Sequence, residues 1–267
     1  MPGRLFLGTS GFAYPEWKGD FYPSDIKPNA MLAFYAECFS SVEINYTFQR
    51  DLTEKTLSKW VADTPDGFVF SLKAHRAITH NLRLKPEAAE PLAAFLASVV
   101  PLGARAGAIL FQCPPNFKMD LERLRSFLPL LPEHGRYAFE FRHESCRDET
   151  VLDALAERGV AWCVADADDY DYDAPFVRTA PGFVYLRLRK TLYEDEELSR
   201  WAKQILGTLA DGIDVYCYLK HEDEGRGVHY ARTLAEIVKA NDEPSPVPEA
   251  PVSEPSQLET SEGPERT

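Results

Sequence analysis

The sequence has few cysteines and no long apolar run. Its five cysteines show no metal-ligand spacing, and Cys113, Cys163 and Cys217 lie in or beside apolar runs, which favours buried reduced thiols over a disulfide framework. No run approaches the ~18 apolar residues of a membrane span, and the N-terminal residues lack the long apolar stretch of a secretory signal. These absences predict a cytoplasmic protein with no membrane partner.

The chain also has fewer basic than acidic residues. The formal net charge is -13, and residues 242–267 contribute seven acids and one base to it, which leaves -7 for residues 1–241. A body this acidic argues against a broad basic footprint for nucleic acid. The last residues are rich in Pro, Glu and Ser, so we expect a single domain at 1–241 followed by a disordered tail at 242–267.

Before that tail, short apolar runs alternate with segments of helical periodicity. The runs that predict strands are Leu5–Ser10, Val42–Asn45, Phe68–Lys73, Ala108–Gln112, Tyr137–Arg142, Val160–Asp166, Phe183–Arg189 and Asp214–Lys220. The predicted helices are 29–39, 52–62, 86–100, 121–130, 150–158, 194–210 and 228–240. Residues 166–182 lack a helical pattern and predict a long loop. This alternation implies a parallel sheet, and eight units fit an α/β fold of the (β/α)8 TIM-barrel type.

Side chains alternate between the two faces of a strand, so every second residue shares a face, which we call a parity. In these runs one parity stays apolar to the end of the strand, whereas the other ends in polar groups. In the fifth run Glu140 and Arg142 share a parity, opposite to Phe139 and Phe141. The other strand ends supply Ser10, Glu43, Asn45, Lys73, Gln112, Asp166, Arg187 and Lys220. If the strands simply ended in solvent, polar residues would be expected on both parities at these ends. The pattern therefore predicts a polar pocket at the C-terminal mouth of the barrel, with a structural ion-pair network as the alternative.

Roles within this pocket follow from the residue types. Glu43 and Glu140 are predicted to be an acid/base pair, because like charges at close range push their pKa values apart. Lys73 suits a nucleophile or base if it is desolvated, and a plain counter-ion otherwise. Arg142 and Arg187 suit a planar anion, or else neutralise the carboxylates. The predicted substrate-binding residues are Tyr14, Trp17, Asn45, His80, Gln112, Arg142, His143, Asp166, Arg187 and Lys220.

Two further groups of residues carry weaker signals. The residues that could ligate a metal are Glu43, His80, Glu140, His143 and Asp166. No HExxH or comparable pair accompanies them and several cations share the mouth, so we predict no metal or other cofactor, with a divalent metal as the alternative. The aromatic residues of the first loop, Tyr14 and Trp17 among them, could stack on a sugar or base, or form the loop's own small core.

Several motifs occur together in a single order. They are Gly8–Phe12 with Tyr14, Trp17 and Gly19, then Phe21–Pro23, Val42–Asn45 with Thr47 and Phe48, Lys73 with Arg76, Thr79 and His80, Gln112 with Pro114 and Pro115, and Glu140–His143 with Ser145. Over residues 8–240 the chain resembles the YecE-like proteins, the family of the domain of unknown function numbered seventy-two. The resemblance implies a TIM-type barrel, and the family's likeness to endonuclease-four-type repair enzymes is one of fold alone.

The chain departs from the family pattern at three places. Cys146 stands where the family usually has Trp, Arg189-Lys190 replaces a usual His-Gly, and Lys220-His221 replaces a usual Asn pair. These changes make the mouth more basic. They put in doubt any substrate that the family shares.

The sequence favours one function over two alternatives. The favoured one is an enzyme, of hydrolase or lyase/isomerase type, that binds a small phosphorylated or carboxylated anion at the mouth. One alternative is a metal-dependent phosphodiesterase that acts on nucleic acid, for which the basic mouth argues and the acidic body does not. The other alternative is a non-catalytic binding or scaffold protein.

Overall fold

The structure is a computed structural model that describes residues 1–168, 176–220 and 225–242. Its strands are β1 (Leu5–Thr9), β2 (Ser41–Ile44), β3 (Val69–Lys73), β4 (Ala106–Gln112), β5 (Tyr137–Glu140), β6 (Ala161–Asp166), β7 (Phe183–Leu188) and β8 (Asp214–Leu219). Its α-helices are α1 (Met31–Cys38), α2 (Glu54–Ala62), α3 (Ala89–Val99), α4 (Leu121–Phe127), α5 (Glu149–Glu157), α6 (Asp195–Ala210) and α7 (Arg226–Asp242). The tail predicted at 242–267 lies outside the described residues, apart from Asp242 at the end of α7.

The eight strands form one parallel sheet. The strand order is β1-β8-β7-β6-β5-β4-β3-β2, and every neighbouring pair is parallel. A parallel bridge between Ser10 and Glu43 joins the two outermost strands and closes the barrel. The predicted TIM-type barrel is therefore confirmed, with strand ends that differ from the predicted ones by one or two residues.

Capping side chains mark where several of the helices begin. Thr53, Asp120 and Asp148 each accept a hydrogen bond from a backbone N–H in the first turn of α2, α4 and α5. Glu194 and Glu197 form a reciprocal capping box at the start of α6. These contacts satisfy N–H groups that have no partner inside the helix, so they fix the points at which the chain leaves the loops of the mouth.

The closing seam between β1 and β2 depends on a tyrosine and a glycine. The Tyr35 hydroxyl, from α1, accepts a hydrogen bond from the backbone N–H of Thr9 at 2.7 Å and donates to the Ser41 carbonyl at 3.2 Å. It thereby bridges two strands that lack a regular ladder along their length. Gly8 lies against this bridge, and a Cβ added there would clash with the Ser41 carbonyl oxygen and lie 2.6 Å from the Tyr35 hydroxyl.

We expect Gly8→Ala to lower the free energy of unfolding by about 1–3 kcal/mol, because the added methyl group forces the two strands apart. Urea denaturation measures the change. Gly207→Ala is the matched control, since Gly207 is exposed in α6 with no atom within 4 Å of the added Cβ. That change should raise stability by about 0.5–1 kcal/mol. Equal effects of the two substitutions would show that the seam does not require glycine.

Two separate cores confirm most of the parity assignments. Small and aromatic side chains such as Ala138, Cys163, Tyr185 and Tyr218 fill the lumen, and the opposite parity packs against the helices. Strand β6 is the exception. Its lumen-facing residues are Ala161, Cys163 and Ala165, whereas Trp162 and Val164 face the helices. Asp166 shares the parity of Trp162, so its predicted place on the lumen side was wrong.

One described segment, Pro86–Arg105, is long and apolar enough to cross a membrane by length and composition. It contains α3, flanked by short 3-10 turns. Leu92, Phe95 and Val99 from this helix are buried in the outer core of the barrel. One face of α3 therefore packs on the barrel.

Candidate functional site

The mouth of the barrel contains a buried ion pair between β2 and β7. Arg187 donates from Nε to Oε2 of Glu43 at 3.0 Å and from Nη2 to Oε1 at 2.9 Å. Ser10 and Tyr185 each donate one further hydrogen bond to Glu43, both at 2.7 Å. The Arg187 side chain is 2% exposed and that of Glu43 0%. Glu43 is thus enclosed by four donated hydrogen bonds.

Glu140 on β5 extends this pair into a network. Its Oε2 accepts from Nη1 of Arg187 at 2.5 Å. Its Oε1 accepts from Gln112 at 2.7 Å and from Nε of Arg142 at 3.0 Å. Arg187 therefore bridges two carboxylates with all three of its side-chain nitrogens. This is the neutralising role, one of the two roles that the sequence left open for Arg187. Arg142, with 24% of its side chain exposed, is the guanidinium on the outer side of the network.

Both carboxylates stay ionised. Burial alone would raise the pKa of Glu140, but the charges of Arg187 and Arg142 more than offset it, so the pKa lies well below its usual range. Burial and Arg187 act in the same opposed way on Glu43, and its pKa is also lowered. In return the pKa of Arg187, which burial would lower, is raised by the two carboxylates. A carboxyl group with a depressed pKa is a weak base, which limits its use in proton transfer.

Lys73 at the end of β3 is the titratable amine of the network. Its Nζ donates to Oε1 of Gln112 at 2.5 Å and lies 4.2 Å from the centre of the Phe48 ring. Burial first, and then the charge of Arg187, lowers its pKa to about 8, against the attraction of Glu140 and Glu43. A substantial fraction of Lys73 is therefore neutral near physiological pH.

The loop after β3 adds positive charge beside Lys73. His80 lies in a π-helical turn, Ala77–Asn81, with its ring edge-on to Phe48 at 4.7 Å and its Nδ1 2.9 Å from the Thr79 hydroxyl. Its pKa is lowered by burial and then by four cations, which are Lys73, Arg76, Arg142 and Arg83. A neutral histidine among four cations marks a region of positive potential.

The same loop has an unusual backbone. Arg83 and Leu84 both have positive φ values, 53° and 60°, in a region that side-chain-bearing residues seldom occupy. Arg83 is held there by hydrogen bonds to the side chain and carbonyl of Asn116, at 3.0 and 2.8 Å. π turns and consecutive left-handed residues are frequent at functional sites.

The structure brings six of the predicted site residues into one hydrogen-bonded network, with His80 beside it, and places the others outside this network. The six are Glu43, Lys73, Gln112, Glu140, Arg142 and Arg187. His143 is hydrogen-bonded to Ser145 in its own turn. Asp166 accepts a hydrogen bond from Trp201 of α6 at 3.3 Å and lies 3.4 Å from Lys190. Lys220 follows β8, where its charge lowers the pKa of Asp168 after the stronger effect of hydrogen bonds from Thr191.

The aromatic residues of the first loop pack mainly on one another. Trp17 is 0% exposed, with its ring 4.7 Å from Tyr14, 5.8 Å from Phe21 and 6.0 Å from Tyr22. Trp17 thus belongs to the loop's own core, one of the two roles that the sequence allowed. Tyr14 and Asn45 line a pocket between this loop and α2.

The five residues that could ligate a metal have other partners. Glu43 and Glu140 are bridged by Arg187, and His80, His143 and Asp166 make the contacts given above. Within the described residues, no group of three or more His, Cys, Asp or Glu side chains is placed to hold a metal ion.

No role at the site was predicted from the sequence for Tyr185, Phe48, Arg76 and Arg83. Tyr185 shares the lumen parity of Arg187, so strand parity was a signal that could have found it. The other three lie in loops. Phe48 and Arg76 belong to the motifs of the family resemblance but were given no role, and Arg83 follows His80 by three residues in the chain.

Together, these features define a (β/α)8 barrel protein with a buried, charged network at its C-terminal mouth. The chain belongs to the family described as "Protein of unknown function DUF72", whose model matches residues 6–255.

Relatives from bacteria agree with this assignment. The protein YecE of Escherichia coli strain K12 is 27% identical over 169 residues, which are 61% of this chain and 59% of that protein. YunF of Bacillus subtilis is 26% identical over 148 residues, 53% of this chain and 51% of that protein. The matched region thus spans less than two thirds of either relative. A DUF72 family structure from Thermotoga maritima, 24% identical, covers 88% of this chain and 99% of its own with a TM-score of 0.78, a likeness of fold.

Proposed function

We propose that the protein is an enzyme that binds a small phosphorylated or carboxylated substrate at the C-terminal mouth, with Lys73 as the group that transfers a proton. The observation that carries the proposal is the balance of charge. Two carboxylates, Glu43 and Glu140, share one hydrogen-bonded network with three basic side chains, those of Lys73, Arg142 and Arg187. The network therefore has an excess of positive charge when Lys73 is protonated.

The anion is expected on the side of Arg142 and Lys73. Arg187 is committed to the two carboxylates, whereas Arg142 is partly exposed and touches Glu140 through Nε. Burial is the largest cause of the lowered pKa of His80, and the charges of Lys73, Arg76, Arg142 and Arg83 lower it further. These four charges support the same location. A guanidinium can bind a phosphate or carboxylate with two parallel hydrogen bonds.

Proton transfer is assigned to Lys73, and not to the carboxylate pair that the sequence suggested. The best acid or base has a pKa near the working pH, and that of Lys73 is about 8. Glu43 and Glu140 have lowered pKa values, so in this proposal they hold Arg187 and Arg142 in position.

Arg142→Ala tests the anion site. We expect the affinity for inorganic phosphate, measured by titration calorimetry, to fall by roughly 10–150-fold, which corresponds to one charged hydrogen bond of about 1.5–3 kcal/mol. The fold should survive, because Arg142 is partly exposed.

Arg178→Ala is the control for a general change in charge. Arg178 pairs with Asp211 outside the mouth, with side chains 35% and 57% exposed. Phosphate affinity should be unchanged in this variant. Equal affinity in wild type and Arg142→Ala, or no binding by the wild type to phosphate, phosphate esters or carboxylates, would refute the anion site.

A further inference from the structure

The amide of Gln112 lies between the amine of Lys73 and the carboxylate of Glu140. These three side chains come from β3, β4 and β5, which are neighbours in the sheet, and Gln112 is opposite Glu140 in the pairing of β4 with β5. Its Oε1 accepts from Nζ of Lys73 at 2.5 Å, and its Nε2 donates to Oε1 of Glu140 at 2.7 Å. Gln112 is 7% exposed, so both contacts are largely shielded from solvent.

The partners of Gln112 allow its amide a single orientation. Glu140 is ionised and can only accept hydrogen bonds, so it requires the NH₂ side of the amide. The amide oxygen must then face Lys73, whose amine donates to it in both its charged and its neutral form. The opposite orientation would place the amide oxygen against a carboxylate. Gln112 therefore links the amine to the carboxylate and holds the two apart.

This link takes the place of an ion pair. A carboxylate in contact with a lysine amine favours the protonated amine, and the attraction weakens with distance. Glu140 accepts from two guanidinium groups and from Gln112. Among the described side chains, the hydrogen bond of Lys73 goes to the neutral amide. Lys73 thus has an acceptor for its N–H group without direct contact with the charge of Glu140.

The charges around Lys73 oppose one another. The charged and titratable side chains that act on it or lie beside it are Arg187, Arg142, Glu140 and Glu43, with His80 from the loop after β3. Burial is the largest cause of the lowered pKa of Lys73, which is about 8; the two arginines lower it further and the two carboxylates raise it. A shorter distance between Lys73 and Glu140 would shift this balance toward the protonated amine.

We propose that Gln112 is a positioning residue that prevents a direct ion pair between Lys73 and Glu140, so that a neutral amine is present at the mouth. The proposal rests on the proton-transfer role of Lys73 in the proposed function. A shorter side chain at position 112 would not span both partners, and the long side chain of Lys73 would then reach the carboxylate.

The test compares Gln112→Ala with wild type by brief acetylation with acetic anhydride at pH 8, read by mass spectrometry of peptides. The exposed Lys203 of α6 is the reference in each sample. We expect the rate for Lys73 relative to Lys203 to fall by about 10–100-fold. An ion pair with Glu140 gives Lys73 an ordinary or higher pKa, which leaves less than roughly 1% of the amine neutral at this pH.

A double variant separates the ion pair from other effects of a smaller side chain. Gln112→Ala combined with Glu140→Gln should recover fast labelling of Lys73, because no carboxylate remains at position 140 to pair with the amine. If water that enters beside Lys73 were the cause of slow labelling, the double variant would stay slow, and this result would contradict the proposal. Labelling of Gln112→Ala as fast as wild type would also contradict it. If Gln112→Ala does not fold, Gln112→Ser is measured in its place with the same expectation.

A failure of this proposal can be distinguished from a failure of the proposed function. Fast labelling of Lys73 in both wild type and Gln112→Ala would refute the role of Gln112 and leave the reactive amine and the anion site standing. Slow labelling in wild type would overturn both the role of Gln112 and the assignment of proton transfer to Lys73. Absence of phosphate binding by wild type would refute the anion site alone, since the labelling comparison uses no phosphate.

Discussion

Arg187→Met should lower the free energy of unfolding by about 3–5 kcal/mol. The substitution leaves Glu43 and Glu140 buried without their main counter-ion, and breaking a buried pair by removal of one partner typically has a cost of this size. Urea denaturation measures the loss. The matched control is Arg178→Met, whose exposed ion pair with Asp211 should be worth less than about 1 kcal/mol.

The stability of wild type and of the Arg187→Met variant should also change with pH in opposite directions. In wild type the lowered pKa of Glu43 lies below its unfolded value of about 4.3. The stability that it contributes is therefore present above that pH and is lost as pH falls through the folded pKa. Without Arg187, burial should raise the pKa of Glu43 above the unfolded value, so the variant should become more stable as pH falls from 7 to 5. A loss below 1 kcal/mol at pH 7 would contradict the buried network.

Lys73 should react with acetic anhydride at pH 8 about 10–100-fold faster than the exposed Lys203 of α6. The neutral amine is the reactive form, and a pKa of about 8 leaves about half of Lys73 neutral at this pH. An ordinary lysine, with a pKa near 10.4, is neutral to roughly 0.4%. The partial burial of Lys73 slows access of the reagent and reduces the advantage. Mass spectrometry of peptides from briefly labelled protein gives both rates in one sample.

Inorganic phosphate supplies the control for this experiment. If an anion binds beside Lys73, it favours the protonated amine and covers it, so phosphate should slow the labelling of Lys73 and leave that of Lys203 unchanged. Labelling of Lys73 no faster than that of Lys203 would show that the amine is not activated.

The positions of the six network residues could be predicted from the sequence. Glu140 and Arg142 occupy one parity of a strand whose other parity is apolar, and the same holds for Glu43, Lys73 and Arg187. In a closed barrel such residues must converge at the mouth, whatever the length of the loops between them. The strand pattern therefore predicted where these side chains converge.

For Asp166 the strand pattern predicted the wrong face of β6. Both parities of β6 are apolar, and the lumen side is the one with the small residues Ala161, Cys163 and Ala165. Large lumen side chains from the next strands, Tyr185 and Tyr218, leave room only for small neighbours. Hydrophobicity alone does not reveal this, so the polar Asp166 at the end of the Trp162 parity led to the wrong assignment of the inner face.

The role of Arg187 could not be predicted either. Glu43, Glu140 and Arg187 lie on strands far apart in the sequence, and whether a guanidinium faces a ligand or two carboxylates depends on atomic distances across the lumen.

In the proposed anion site of Lys73 and Arg142, the amine of Lys73 titrates near physiological pH and interacts with the bound anion. Reductive ¹³C-methylation of the lysines, with a Lys73→Gln variant to assign the signal, allows an NMR titration of this amine with and without phosphate. We expect a pKa of about 8 for Lys73 without phosphate and a higher value with it. A Lys73 signal that titrates near 10.4, or one that phosphate does not move, would contradict the proposed anion site.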